Sequence, residues 1–154
     1  MFKGFTIAAL ATLTQAFTQC DPNAIASNGI LTFHLSKMNE AAINKLSVRG
    51  FSITASHGIR LAVEGNPTTG FEWDLVQGTN DTNGVFDVCG DYYPDESNPM
   101  ADGYDTGTGG TYYFTITAGE ASGTGTFSIA YSRDWETIAP EDSFTIPVHV
   151  TGSE

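Results

Sequence analysis

The chain has 154 residues and a formal net charge of −12 at pH 7. This length suits one domain with a sizeable core, and the composition excludes collagen, a coiled coil and general disorder. The negative charge argues against nucleic acid or an anionic membrane as the partner, because both would repel such a surface, whereas a cationic patch on another protein would suit it.

The N-terminus has the features of a secretory signal peptide. Lys3 supplies a positive charge, residues 5–13 are apolar, and small residues follow at cleavage spacing. The apolar stretch is too short to span a bilayer. We therefore expect residues 1–16 to be removed and residues 17–154 to form one monomeric domain without membrane association. That domain would be secreted or delivered to the lumen of an endolysosomal or other vesicular compartment.

Two cysteines, Cys20 and Cys89, remain after such a cleavage, in a compartment where disulfides persist. A bond between them would stabilise the fold by about 4 kcal/mol in the chain-entropy model. Two unpaired thiols, one near the N-terminus and one in a strand, are the competing interpretation. Asn80 begins an NDT triplet, which is an acceptor for N-linked glycosylation whether or not it is used.

Alternation of apolar and polar residues dominates the chain from about residue 46 onward and predicts antiparallel sheet. The stronger strand candidates are 59–64, 71–77, 110–118, 125–132 and 143–150, and the weaker ones are 30–35, 47–54 and 85–93. Only residues 36–46 look helical. Pro147 cannot donate to a ladder, which favours a sheet edge for the last strand. The pattern predicts an all-β, immunoglobulin-like antiparallel sandwich of about seven to eight strands.

Strand order groups the loops. If the strands run up and down in succession, alternate connections fall at the same end of the sandwich. Three connections with unusual composition then share one end: NPTTG at 66–70, the long loop ending in GTGG at 107–110, and residues 132–142. Ordinary polar turns at 78–84 and 119–124 fall at the other end, where a glycan on Asn80 would not obstruct the first three.

The NPTTG loop is predicted to be stiff. Pro67 fixes its own φ and pushes Asn66 towards an extended conformation, while Gly70 can take the positive φ that closes a tight turn. Thr68 and Thr69 then project from a backbone with little freedom left to lose. These residues alone are typical of any well-made turn, so the rest of the chain has to decide whether the loop has a function.

The sequence contains no recognisable catalytic apparatus. The histidines His34, His57 and His149 are scattered through separate segments, with no HExxH pair and no serine in a nucleophile elbow. Nothing places a base beside either cysteine. The acidic residues of the long loop lack the spacing of a calcium loop and indicate a solvated acidic segment. We therefore expect no catalytic residue, no metal and no cofactor.

Two other segments suggest binding. Trp135 follows Arg133 directly after a strand, and these residue types are the most enriched at binding hot spots. The alternative is that Trp135 folds back over the end of the core. Gly107, Gly109 and Gly110 permit the close approach of another backbone, or merely a sharp turn into the next strand.

Together, NPTTGFEW at 66–73, GTGG at 107–110 and SRDW at 132–135 resemble the three signature motifs of the chagasin-type inhibitors of papain-like cysteine peptidases, in this order and at these separations. The similarity extends over roughly residues 47–150. The first motif is matched in full, including Phe71 and Trp73. In the third motif the family usually has RPW or RPF, and here Asp134 replaces the proline.

The resemblance implies a reversible inhibitor, not an enzyme, whose loops 66–70, 107–110 and 132–136 enter the active-site cleft of the peptidase. Thr68 and Thr69 would lie beside the target's catalytic cysteine and histidine, and the GTGG main chain would lie along the substrate groove. Arg133 and Trp135 would anchor the other side.

Asn66, Phe71 and Trp73 would be scaffold more than contact. Asp134 should leave the third loop more mobile and more negative than a proline would, with altered strength or target preference. The alternative function is a non-inhibitory secreted immunoglobulin-like adhesion or recognition module that keeps the sandwich.

Overall fold

A computed structural model describes residues 14–15, 17–21, 30–76, 84–95, 109–133 and 142–152. The strands are β1 (Thr14–Gln15), β2 (Leu31–His34), β3 (Phe51–Thr54), β4 (Gly58–Gly65), β5 (Glu72–Val76), β6 (Phe86–Pro94), β7 (Gly110–Ala118), β8 (Gly123–Ser132) and β9 (Asp142–Thr151). The helix α1 spans Glu40–Arg49, and 3-10 turns span Leu35–Lys37 and Pro67–Thr69. Most of the expected signal peptide lies outside the described residues, so its removal stays a prediction.

The strands form two sheets packed face to face, with the order β1-β5-β8-β9-β3 in the first and β2-β4-β7-β6 in the second. Large side chains such as Leu61, Phe114 and Phe127 are fully buried between them, because alternate residues of each central strand face inward. The prediction of an all-β sandwich is therefore confirmed.

The expectation of purely antiparallel sheets is corrected at two pairs. β2 runs parallel to β4, and β3 runs parallel to β9. The reason is the crossover through α1, which carries the chain from β2 in one sheet to β3 in the other. Each of these short outer strands then lies beside a neighbour that runs in its own direction, an arrangement that hairpin alternation along the sequence does not signal.

The single predicted helix exists, but it begins and ends later than residues 36–46. Leu35–Lys37 forms a 3-10 turn first, and the side chain of Asn39 then accepts a hydrogen bond from the Ala42 amide at 2.8 Å, which caps the helix N-terminus. Residues 47–49, expected to be strand, form the last turn of α1. No helix in the described part of the chain has the length and hydropathy of a membrane-spanning segment.

The prediction that the last strand lies at a sheet edge is wrong, because β9 lies between β8 and β3. The parallel ladder with β3 begins at Val148. Pro147 therefore lies just outside that ladder and does not have to donate a hydrogen bond to it. The chain turn at Gly50, where α1 ends, packs against Pro147 in place of a strand.

Residues 17–21 follow the outer edge of β6. The amide of Gly90 donates to the Thr18 carbonyl at 2.8 Å, and Gln19 forms an isolated parallel bridge with Gly90. Phe17 turns inward, with its ring 5.2 Å from the ring of Phe114 in an edge-to-face contact. A Cβ at residue 90 would lie 2.7 Å from the Phe17 ring, so glycine leaves the space that this aromatic side chain fills.

The prediction of a bond between Cys20 and Cys89 is confirmed, with a sequence separation of 69 residues. Cys20 is buried, with 6% of its surface exposed. The bond lies next to the Phe17 contact along the chain. It therefore fixes the N-terminal segment to β6 one residue before the glycine on which Phe17 packs.

We expect the double substitution Cys20→Ser/Cys89→Ser to lower the free energy of unfolding by about 4 kcal/mol, because the unfolded chain regains the freedom that the long loop removed. Urea denaturation measures the difference, with the m-value fitted separately for each protein because a freer unfolded chain exposes more surface. An unchanged midpoint would show that the tether does not restrict the unfolded state.

Candidate functional site

Three connections leave the same end of the sandwich. In the second sheet, Gly65 at the end of β4 pairs with Gly110 at the start of β7, and Pro94 at the end of β6 pairs with the same glycine. In the other sheet, Glu72 at the start of β5 pairs with Ser132 at the end of β8. We call the segments 66–71, 95–109 and 133–141 the first, second and third loops. The expected grouping of the loops by strand order is confirmed by these registers.

The first loop is held by hydrogen bonds within itself. The Asn66 side chain accepts from the Thr68 amide at 3.1 Å and from the Thr68 hydroxyl. The Thr69 hydroxyl donates to the Asn66 carbonyl at 2.7 Å, and the Gly70 amide donates to the Pro67 carbonyl at 2.9 Å. Gly70 takes φ of 90°, as the sequence predicted. The result is a closed 3-10 turn with no extended segment in it.

Thr68 and Thr69 are the exposed residues at the tip of this turn. Both hydroxyls make hydrogen bonds to Asn66, so the threonines stiffen the loop as well as cover it. A partner that meets the tip therefore meets a surface whose backbone has already lost its conformational freedom.

An aromatic group fastens the first loop to the sandwich. Trp73 is almost fully buried, and its indole N–H donates to the Glu64 carbonyl at 2.9 Å. The Tyr131 ring lies 5.0 Å from that of Trp73 and stacks at 5.3 Å on Phe71. Phe71 and Trp73 therefore pack against Tyr131 at the base of the first loop, and their role as loop scaffold stays a prediction.

Tyr131 is the residue that sequence reasoning missed. Its phenol oxygen accepts a hydrogen bond from the Asn66 amide at 3.0 Å, across a sequence separation of 65 residues. Strand alternation placed Tyr131 on one face with Phe127 and Ile129, which gave no sign that its hydroxyl reaches the first loop. The only signal available was its position directly before the third loop.

Arg133 joins the third loop to the first. Its Nε donates to the Thr69 carbonyl at 3.2 Å, and its guanidinium lies 4.3 Å from the centre of the Phe71 ring. This cation–π contact orients the arginine over the loop. Asp134 and Trp135 lie outside the described residues.

Of the second loop, the described residues are its two ends. A Cβ added at Gly109 would lie 3.3 Å from the Gly65 carbonyl oxygen, which places this glycine beside the first loop. The Asp95 amide donates to the Gly109 carbonyl at 2.9 Å and closes the base of the loop. Gly110 begins β7, and Gly107 lies outside the described residues. Gly109 at the end of the second loop and Arg133 at the start of the third therefore both lie against the first loop or its base.

The described part of the opposite end of the sandwich contains a short polar turn. The amide of Gly119 donates to the Val85 carbonyl at 2.8 Å, and residues 119–122 make a short exposed turn between β7 and β8. Asn80 lies outside the described residues, and its glycosylation stays a prediction.

The described residues of the site form a rigid surface and do not include a cluster of metal-ligating side chains. Within the described ranges, no group of three or more His, Cys, Asp or Glu side chains is placed to hold a metal ion. Burial raises the pKa of Tyr112 well above its usual range, and the nearby carboxylate of Glu72 adds to this effect. The Tyr112 hydroxyl has no hydrogen-bond partner in the described part of the protein, so it is a neutral core group below the loops.

Comparison with known proteins agrees with the motif resemblance found in the sequence. Residues 52–150 match the family model described as chagasin family peptidase inhibitor I42, a family of inhibitors and not of enzymes. The chain is 32% identical to chagasin of Trypanosoma cruzi over 90 residues, which cover 56% of this chain and 76% of that protein. It is 31% identical to amoebiasin-1 of Entamoeba histolytica over 101 residues, which cover 64% of this chain and 87% of that protein.

A solved structure has a similar fold. The cysteine protease inhibitor EhICP2 from Entamoeba histolytica superposes with a TM-score of 0.52 at 18% identity, covering 80% of this chain and 99% of that one. At this level of identity the superposition supports the sandwich architecture.

We expect Tyr131→Phe to lower the free energy of unfolding by about 1 kcal/mol, because the Asn66 amide loses its acceptor while the ring stack remains. Urea denaturation measures the loss, and hydrogen exchange at the Asn66 amide should become faster. Tyr93→Phe removes a hydroxyl from a ring that is 59% exposed and serves as the matched control. Equal effects of the two substitutions would contradict the assigned role of Tyr131.

Proposed function

This chain belongs to the chagasin family of peptidase inhibitors, and we propose that it is a secreted, reversible inhibitor of papain-like cysteine peptidases. It blocks the active-site cleft with residues 66–70 in the centre, 107–110 on one side and 132–136 on the other. The single observation that carries this proposal is that the described ends of the second and third loops, Gly109 and Arg133, lie against the first loop and its base at one end of the sandwich.

The first loop suits a cleft that cleaves extended peptides. Hydrolysis requires the peptide to lie extended, with its carbonyl open to attack. Residues 67–69 instead form a 3-10 turn closed by their own hydrogen bonds. Thr68 and Thr69 can therefore occupy the space beside the catalytic cysteine and histidine without presenting a cleavable bond.

The rigidity of the first loop raises the affinity in this mechanism. Ordering a flexible loop on binding costs free energy, and a loop that is already ordered avoids that cost. The Asn66 amide is held by Tyr131, and the Thr69 carbonyl is held by Arg133. The contacts made by Pro67 and Gly70 then belong to the same preformed surface.

The flanking loops extend the contact on either side. Gly107 and Gly109 of the second loop, with Gly110 at the start of β7, allow this main chain to approach the main chain of the peptidase. Trp135 covers apolar surface on the other side, and Arg133 adds polar contacts while it holds the first loop. Asp134, which stands where the family usually has proline, makes this side more negative and changes the strength or the choice of target.

The proposed location is the secretory pathway, with the mature chain outside the cell or in a vesicular lumen. The N-terminal pattern and the Cys20–Cys89 bond support it, since disulfides persist in such compartments. A cut after residue 16 would leave Phe17 in its core contact. Of the described strands and helices it would remove β1 alone, which pairs with two residues of β5.

Titration of papain with residues 17–154 tests the function. We expect activity to fall to zero near one-to-one stoichiometry and to return on dilution, because binding is tight but not covalent. Papain that stays fully active at an excess of the chain would contradict inhibition. That result would favour the adhesion or recognition module.

Trp135→Ala should weaken inhibition of papain by more than about 1 kcal/mol, roughly fivefold in the inhibition constant, because a large aromatic contact is lost. Its thermal midpoint should stay unchanged. Val48→Ala, which trims a side chain 80% exposed on α1, is the control and should leave both quantities unchanged. Parallel loss of stability and inhibition in Trp135→Ala would instead place this tryptophan in the core.

A further inference from the structure

An open groove of about 610 Å³ lies between the first loop and the ends of β6 and β7. Gly65, Gly109 and Gly110 line the groove with main chain, because they have no side chains. Its walls are formed by three tyrosines and two carboxylate residues: Tyr93, Tyr113, Tyr131, Glu64 and Asp95. Asn66 of the first loop also lines the groove, so the groove is continuous with the surface proposed to enter the peptidase.

The groove has the chemistry of a site for a cation. None of the described lining residues is basic, and Glu64 is exposed. Tyr93 is 59% exposed, and its ring lies 5.7 Å from that of Tyr113 in an edge contact. Carboxylates and the faces of aromatic rings both attract ammonium and guanidinium groups.

The protein itself already uses one of these rings in this way. The guanidinium of Arg60 lies 5.9 Å from the centre of the Tyr113 ring. Tyr93, the more exposed of the two tyrosines, has no such partner among the cation–π contacts of the described residues.

We propose that this groove receives a lysine or arginine side chain from the rim of the peptidase cleft. The inhibitor would then prefer peptidases whose rim is cationic on the side of the second loop. This inference rests on the proposed function, since Asn66 of the first loop also lines the groove and a peptidase seated on that loop would lie beside it.

Two other occupants fit the observations less well. Small-molecule sites enclose most of their ligand in largely apolar walls, whereas this groove is open and carries carboxylates. A second copy of this chain would bring a net charge of −12 against the same sign. A protruding cationic side chain of a protein matches both the openness and the charge.

The test compares inhibition constants for a papain-like peptidase chosen for a lysine or arginine on the cleft rim beside the second loop, at roughly 20 mM and 200 mM NaCl, a range over which exposed charges become screened. Tyr93→Ala should raise the constant at least about fivefold. Glu64→Gln should raise it, and Glu64→Lys should raise it further, with both effects shrinking at the higher salt concentration. Glu120→Gln removes the same charge from the exposed turn at the opposite end and should match the unsubstituted chain.

The outcomes separate the two proposals. If the unsubstituted chain inhibits this peptidase but the Glu64 variants and Tyr93→Ala stay within about twofold of Glu120→Gln, the groove proposal is overturned and the inhibitory function stands. If the unsubstituted chain does not inhibit papain at all, the function fails and the groove proposal falls with it. Equal urea midpoints for Glu64→Gln and Glu120→Gln exclude misfolding as the cause of a difference.

Discussion

The hydrogen bond from the Asn66 amide to the Tyr131 hydroxyl is the interaction on which the site depends. It joins the first loop to a strand 65 residues away, and the same tyrosine ring stacks on Phe71 and lies against Trp73. A turn closed only by its own hydrogen bonds could still move as a unit. With its amide and its aromatic neighbours fixed to the core, the loop cannot move without disturbing the sandwich.

Other contacts of the fold hold the loops and the N-terminal segment in place. The antiparallel registers bring the three connections to one end, and Arg133 then holds the Thr69 carbonyl from the neighbouring loop. On the second sheet, Phe17 fills the space above Gly90 and the Cys20–Cys89 bond keeps it there. Inhibition by such a surface would require no reactive group, because a preformed shape that fits a cleft is sufficient to exclude the substrate. Charge along the groove beside Glu64 would then select among clefts of similar shape.

The turn of the first loop and the positions of most strands could be predicted from the sequence, because both depend on neighbouring residues. Pro67 and Gly70 determine the turn of the first loop through their own backbone preferences, and alternation identified the central strands from β4 onward to within one or two residues. Both signals depend on neighbours in the sequence. The family resemblance also lay within short motifs, and it pointed to the end of the sandwich from which the three loops leave.

Only the tertiary structure decided the contacts between distant segments. The sequence determined that Tyr131 faces inward, but not that its hydroxyl reaches Asn66, because alternation sets the face of a strand and not the partner of a side chain. For the same reason it misplaced Pro147, whose tolerance in an inner strand depends on where the parallel ladder of β3 begins. The pairing of Cys20 with Cys89 likewise stayed one of two alternatives until packing brought these residues together. Backbone preferences depend on consecutive residues and can be derived from the sequence. The registers between strands depend on residues far apart in the sequence, and they form only when the two sheets pack around one core.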